Sequence, residues 1–198
     1  MTETCKIMIA GVGGQGVVYL TNLLVEASML ADIPVAVSEI HGLSQRGGSV
    51  NAGITFGEYT YGFIEEAGAD FLLGLEALEA QRCVNALNKK SKVVVDNNRI
   101  LPYSVNAETA KYPDTGEFIQ YLRKHLADVI FIENMPPEVE QISRNLFVAG
   151  CASQLEGFPI KFEHIEEAIT TSSKSGYAGK SLQALALGRQ YILENVKS

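Results

Sequence analysis

The residues with the plainest chemistry stand six in a row, Gly11-Val12-Gly13-Gly14-Gln15-Gly16. They separate an apolar run, Ile7-Met8-Ile9-Ala10, from a stretch in which Val17, Leu20, Leu23, Leu24 and Ala27 recur at helical spacing. A strand, a tight glycine turn and a helix opening on unpaired amides form a receptor for an anion, because the N–H groups and the helix dipole aim at one point. Phosphate is the usual guest. The spacing satisfies G-x-G-x-x-G, and Glu39 is a candidate for the acid that a dinucleotide site places on the ribose about 20 residues further on. On these residues alone the chain reads as an NAD-binding reductase.

The next segment points elsewhere. His41-Gly42-Leu43-Ser44-Gln45-Arg46-Gly47-Gly48 is too rich in glycine and polar side chains for helix or strand. Its residue types suit phosphate: glycines let backbone amides approach, Ser44 and Gln45 supply neutral donors, and Arg46 offers a fixed guanidinium fork. The same residues also suit a glycine-rich turn with a surface arginine. His41 differs from the isolated His125 and His164 only in this neighbourhood. Asp96 and Glu133 each follow a strand, where an acid often serves as a cap, and nothing in the sequence joins them as a catalytic pair. Asn97, Asn98 and Arg99 suit turn chemistry. Gly179-Lys180-Ser181 ends like a P-loop, but Lys174 stands where that motif needs glycine and the segment lies between helices, so it reads as no phosphate site. Cys5, Cys83 and Cys151 are far apart, with no C-x-x-C and no adjacent His, and so form no zinc or iron–sulfur ligand set.

Strands are expected at 6–10, 35–38, 49–56, 71–75, 92–96 and 129–132, with a short hairpin return at 59–63. Helices are expected at 14–31, 78–87, 118–126, 138–155, 162–171 and about 180–196, with a surface excursion from Pro102 to Gly116. The first strand, helix and second strand would make one βαβ unit with a right-handed crossover and the glycine loop at its carboxyl end. This predicts an α/β fold, a Rossmann-like doubly wound, mostly parallel sheet with a helical C-terminal extension. One domain is expected over 1–198, with an α/β core at 1–134 and a helical part at 135–198.

Lys and Arg total 16 against 23 Asp and Glu, and the resulting charge of −7 is spread along 198 residues. No basic cluster offers the footprint that nucleic acid requires. The longest apolar runs fall short of the roughly 20 residues of a membrane span, and no signal pattern opens the chain. A cytoplasmic protein is expected, with no membrane or nucleic-acid partner.

Taken together, Gly11-x-Gly-Gly-Gln-Gly16 and Ser38-Glu39-Ile40-His41-Gly42-Leu43-Ser44-Gln45-Arg46-Gly47-Gly48-Ser49 resemble the gamma-type component of 2-oxoacid:ferredoxin oxidoreductases. The His-Gly-Leu-Ser-Gln-Arg-Gly-Gly wording is most similar to the indolepyruvate type, in which this component is the beta subunit. Gly68-Ala69-Asp70, Asn145, Gly150, Gly157-Phe158-Pro159, Ala184, Leu185 and Gly188 extend the likeness over essentially the whole chain. The chain departs from it at Ser181, where the resemblance leads one to expect Asn. The resemblance implies a subunit of an enzyme that oxidatively decarboxylates a 2-oxoacid, here an arylpyruvate, with coenzyme A and passes the electrons to ferredoxin. Thiamine diphosphate, Mg2+ and the iron–sulfur clusters are then expected on a larger alpha subunit, and this chain is not expected to be active alone. Gly11, Gly13, Gly14, Gln15 and Gly16, with Ser44, Gln45, Arg46, Gly47 and Gly48, become two adjacent loops for coenzyme A phosphates or for an edge of the partner's active site. His41 becomes a candidate to orient the second loop or to reach the partner's cofactor pocket. A purely structural subunit that binds nothing small, and that self-associates when isolated, is the alternative from a different class.

Overall fold

Strands that are apolar on both faces need cover on both sides. The computed structural model describes residues 4–42, 48–58, 61–126, 128–172 and 178–195. Its strands are β1 (Cys5–Val12), β2 (Val35–His41), β3 (Ser49–Phe56), β4 (Ala69–Gly74), β5 (Leu87–Asp96) and β6 (Asp128–Ile132). Its helices are α1 (Val17–Leu30), α2 (Ala77–Arg82), α3 (Tyr103–Asn106), α4 (Thr115–His125), α5 (Arg144–Ala152), α6 (Phe162–Ser172) and α7 (Ala178–Asn195). The strands form one sheet in the order β2-β3-β1-β4-β5-β6. β1, β4, β5 and β6 run parallel, whereas β3 is antiparallel to both of its neighbours.

The period-two alternation of the strands sorts their side chains into two apolar layers. Ile7, Ile9, Phe71, Leu73, Val94 and Ile132 face α1, α5, α6 and α7, while Ala10, Leu72, Val93 and Val95 face α2 and α4. The sheet is therefore doubly wound, and the C-terminal helices share one core with it. Within that layer α5 and α7 approach until a Cβ at Gly150 would lie 2.1 Å from the Leu185 carbonyl oxygen, and one at Gly188 would lie 2.1 Å from that of Phe147. Only glycine fits at either point.

Several expectations need correction. β2 does not pair with β1: β3, joined to β2 as a hairpin, is inserted between them, and the βαβ unit spans that extra strand. Helix α1 begins at Val17 because Gly14 (φ +99°) and Gly16 (φ +78°) are left-handed. The helix expected to reach Leu87 stops at Arg82; a 3-10 turn at Val84–Ala86 leads into β5, which opens at Leu87. The helix expected from Glu138 starts at Arg144 after a 3-10 turn at Gln141–Ser143, and Ile142 points to solvent at 78% exposure. Tyr59 and Thr60 of the expected hairpin lie outside the described residues, and Tyr61–Phe63 is no strand: Gly62 lies flat against the β2 backbone at Val37 and Ser38 while Thr55 Oγ1 donates to the Tyr61 carbonyl (2.9 Å).

Candidate functional site

β1 delivers the glycine turn to the carboxyl end of the sheet, where the connections leave β1 and β4 in opposite directions. Such a switch point is the ordinary place for a ligand in an open α/β sheet. Here the Gln15 side chain spans it. Its Oε1 accepts from the Val12 amide (2.7 Å) and its Nε2 donates to the Leu75 carbonyl (2.8 Å), tying β1 to the end of β4. The Gln15 amide donates to Val12 O at 3.0 Å and the Gly13 amide to Gly48 O at 2.9 Å. Gln15 thus organises the turn from inside, and the end of the second glycine segment lies directly beside the first. Gly11 has no room for a side chain, because a Cβ there would crowd Val17, Gln15 and Leu75.

The topology also separates the parts of a dinucleotide site. With β3 between β1 and β2, Glu39 sits two strand spacings, about 10 Å, from the strand that carries the glycine turn. The Rossmann arrangement puts that acid on the adjacent strand. The crevice occupied by Gln15 and the displacement of Glu39 together remove the basis for an NAD site.

What the turn does border is a cleft of about 850 Å³ on the α1 side of the sheet. Gly13, Gly14 and Gly16 line it with the first turn of α1, with Ser143 and Asn145 at the start of α5, and with Lys180 and Ser181 in the first turn of α7. Three helix beginnings therefore meet at one cleft. In α1 the Val17 and Val18 amides take no backbone partner outside the helix among the described residues, and no side chain caps them. Asn145 couples two of the three helices: its Nδ2 donates to Gly16 O (3.2 Å), and a Cβ at Gly16 would strike that nitrogen at 2.5 Å. The walls further along are largely apolar, with Val18, Tyr19, Leu23, Val50 and Leu146. Among the described residues the charges at the cleft are Glu26, Glu140 and Lys180, and Lys180 Nζ donates to Glu140 Oε1.

Polar residues around this end of the sheet are mostly committed to the fold. Asp96 is 1% exposed and accepts from Arg144 Nε (2.7 Å) and Nη2 (2.5 Å). Burial holds its carboxyl above the usual carboxylate range, while the Arg144 guanidinium pulls it down. Buried Glu76 caps α2 through the Glu79 amide and also accepts from Tyr112 Oη (2.5 Å), so burial and that carboxylate push the phenol up. Arg99 Nη2 donates to Thr115 Oγ1 at 2.6 Å, as turn chemistry suggests. Ser44, Gln45, Arg46 and Gly47 lie outside the described residues, as does the side chain of His41, the last residue of β2.

The cysteines do not suit a cluster. Burial pushes the Cys5 thiol to about 12 and the Cys83 thiol to about 11, and pushes the Cys151 thiol up as well, against the thiolate a metal needs. They stand in β1, after α2 and in α5, and among the described residues no three metal-ligating side chains gather.

Sequence reasoning set Lys180 and Ser181 aside because no strand precedes them; it is the packing of α7 on α5 that carries them to the glycine turn. Their polarity in the first turn of a helix was the available signal, together with the likeness that singled out position 181.

Residues 6–191 match the pyruvate ferredoxin/flavodoxin oxidoreductase family. The chain belongs to that family. Among its relatives, indolepyruvate oxidoreductase subunit IorB of Archaeoglobus fulgidus is 38% identical over 187 residues, 92% of each chain. In fold the chain is similar to the gamma subunit of a keto/oxoacid ferredoxin oxidoreductase from Geobacter sulfurreducens PCA, with a TM-score of 0.67 and 19% identity over 96% of this chain and 98% of that one. It is also similar to part of a 2-oxoglutarate:ferredoxin oxidoreductase from Magnetococcus marinus, solved with 2-oxoglutarate, coenzyme A and succinyl-CoA bound. There the TM-score is 0.71 at 14% identity, and all of this chain matches 32% of the larger one. The gamma-type fold thus occurs both as a separate subunit and as one portion of a longer chain.

Proposed function

We propose that this chain is the beta subunit of an indolepyruvate-type 2-oxoacid:ferredoxin oxidoreductase, working in the cytoplasm with a larger alpha subunit. The observation that carries this reading is the 38% identity to an IorB subunit across 92% of both chains. In such an assembly thiamine diphosphate with Mg2+ would supply carbanion stabilisation to the oxoacid, and iron–sulfur clusters would relay electrons singly to ferredoxin. The scattered, protonated cysteines support assigning the clusters to the alpha subunit. The part left to this chain is binding. The cleft fits a phosphate-bearing coenzyme A: the open amides at the start of α1 favour an anion, and the apolar walls along α1 suit a long neutral arm.

Arg46, with Ser44, Gln45, Gly47 and Gly48, is proposed to contact the phosphates; the hairpin of β2 and β3 on either side of this segment is pinned where the Gly42 amide donates to Ser49 O (2.8 Å). In the assembled enzyme Arg46→Ala is expected to raise the KM for coenzyme A about tenfold, in keeping with loss of one charge-assisted contact, with little change in the KM for the arylpyruvate. Steady-state kinetics with each substrate varied in turn checks this. An unchanged KM for coenzyme A removes Arg46 from the phosphate site.

A further inference from the structure

The described lining of the cleft is mismatched in charge to a phosphate ligand. Among the described residues that line it, the acids Glu26 and Glu140 outnumber the one cation, Lys180, and Glu140 holds that cation. The pair is loosely seated. Its side chains are 62% and 50% exposed, so Glu140 returns to water at little desolvation cost, and exposed pairs of this kind contribute little to stability.

We propose that Lys180, in addition to Arg46, is a cation that receives a phosphate of the cleft's ligand, and that it does so by exchanging Glu140 for that phosphate. This is a role that rests on the coenzyme A assignment of the cleft. A phosphate competes well because it brings more charge than a carboxylate and meets, besides the ammonium, the amides at the start of α1 and the hydroxyls of Ser143 and Ser181. Glu140, released, swings outward into solvent and no longer repels the anion. The segment Gly179-Lys180-Ser181 thus becomes a phosphate contact without being a P-loop: it opens a helix, and the glycine contacts at Gly150 and Gly188 bring that helix to the site. From Gly16 to Glu26 the cleft follows α1 for ten residues, about 15 Å at the helical rise, which suits an organic phosphate with an extended neutral arm.

The test is equilibrium titration of the assembled oxidoreductase with coenzyme A, and with pantetheine as a phosphate-free probe. Lys180→Ala is expected to raise the Kd for coenzyme A about tenfold, and Lys180→Arg to restore most of the affinity. Glu140→Gln is expected to lower that Kd about threefold, a change in the direction that a damaged fold does not produce. Pantetheine should bind all forms alike. If the wild type binds coenzyme A and both Lys180→Ala and Glu140→Gln bind it equally well, Lys180 is not a phosphate cation, while the coenzyme A assignment stands. If the wild type binds no coenzyme A through this subunit, the assignment falls and the role of Lys180 falls with it.

Discussion

Asp96 closes β5 almost wholly buried, and Arg144, the first residue of α5, answers it with two hydrogen bonds. Removing one member of such a pair strands the other, so Arg144→Met is expected to cost about 3–5 kcal/mol at pH 7. The pH dependence has a definite sign. A carboxyl whose folded pKa is raised binds its proton more readily in the native state, so its contribution to stability falls as pH rises from the usual carboxylate value through the folded one. Without Arg144 that folded value climbs further. The loss should therefore shrink as pH falls and Asp96 takes up its proton; urea unfolding at pH 7 and pH 5 checks it, and an equal loss at both would contradict the account. At this scale the sequence was half legible. The glycine turn was evident from spacing, but that Gln15 fills the switch-point crevice depends on Leu75, 60 residues away, and Lys180 reaches the cleft only through helix packing.

The elements that assemble the cleft are α1, α5 and α7, and the last two meet through backbone. Gly150→Ala or Gly188→Ala would drive a methyl into a carbonyl oxygen that cannot move aside, so each is expected to destabilise by roughly 1–3 kcal/mol or more and to weaken coenzyme A binding as α7 is displaced. Thermal melts and titration together check this; a variant that melts as the wild type does would show that the two helices can part without loss. Strands were the most legible elements, since buried runs such as Lys92-Val93-Val94-Val95 have no competing pattern. Their order was not. Periodicity marks β3 as a strand but carries no sign of direction, so the insertion of β3 between β1 and β2, which moves Glu39 out of reach, became visible only in the pairing. Helix starts failed wherever a left-handed glycine or an exposed apolar residue broke the period, as at Gly16 and Ile142.

At the scale of the whole molecule, the surface is that of one part of a larger assembly. β2 is an edge strand that pairs only with β3 among the described residues, and Ile40 on it and Tyr61 and Phe63 beside it are each more than 60% exposed. A lone protein usually blunts such an edge, whereas a subunit keeps it for its neighbour or self-associates through it when isolated. Among the described residues no helix is long and apolar enough to cross a membrane. On the proposed function, this chain completes an arylpyruvate-oxidising enzyme whose redox chemistry lies on another subunit. The most direct measurement is reconstitution: indolepyruvate- and coenzyme-A-dependent reduction of ferredoxin by the chain alone, by the cluster-bearing subunit alone, and by the two together. The account predicts turnover only from the pair. Full activity from the cluster-bearing subunit without this chain, or turnover of a nicotinamide cofactor by this chain alone, would contradict it.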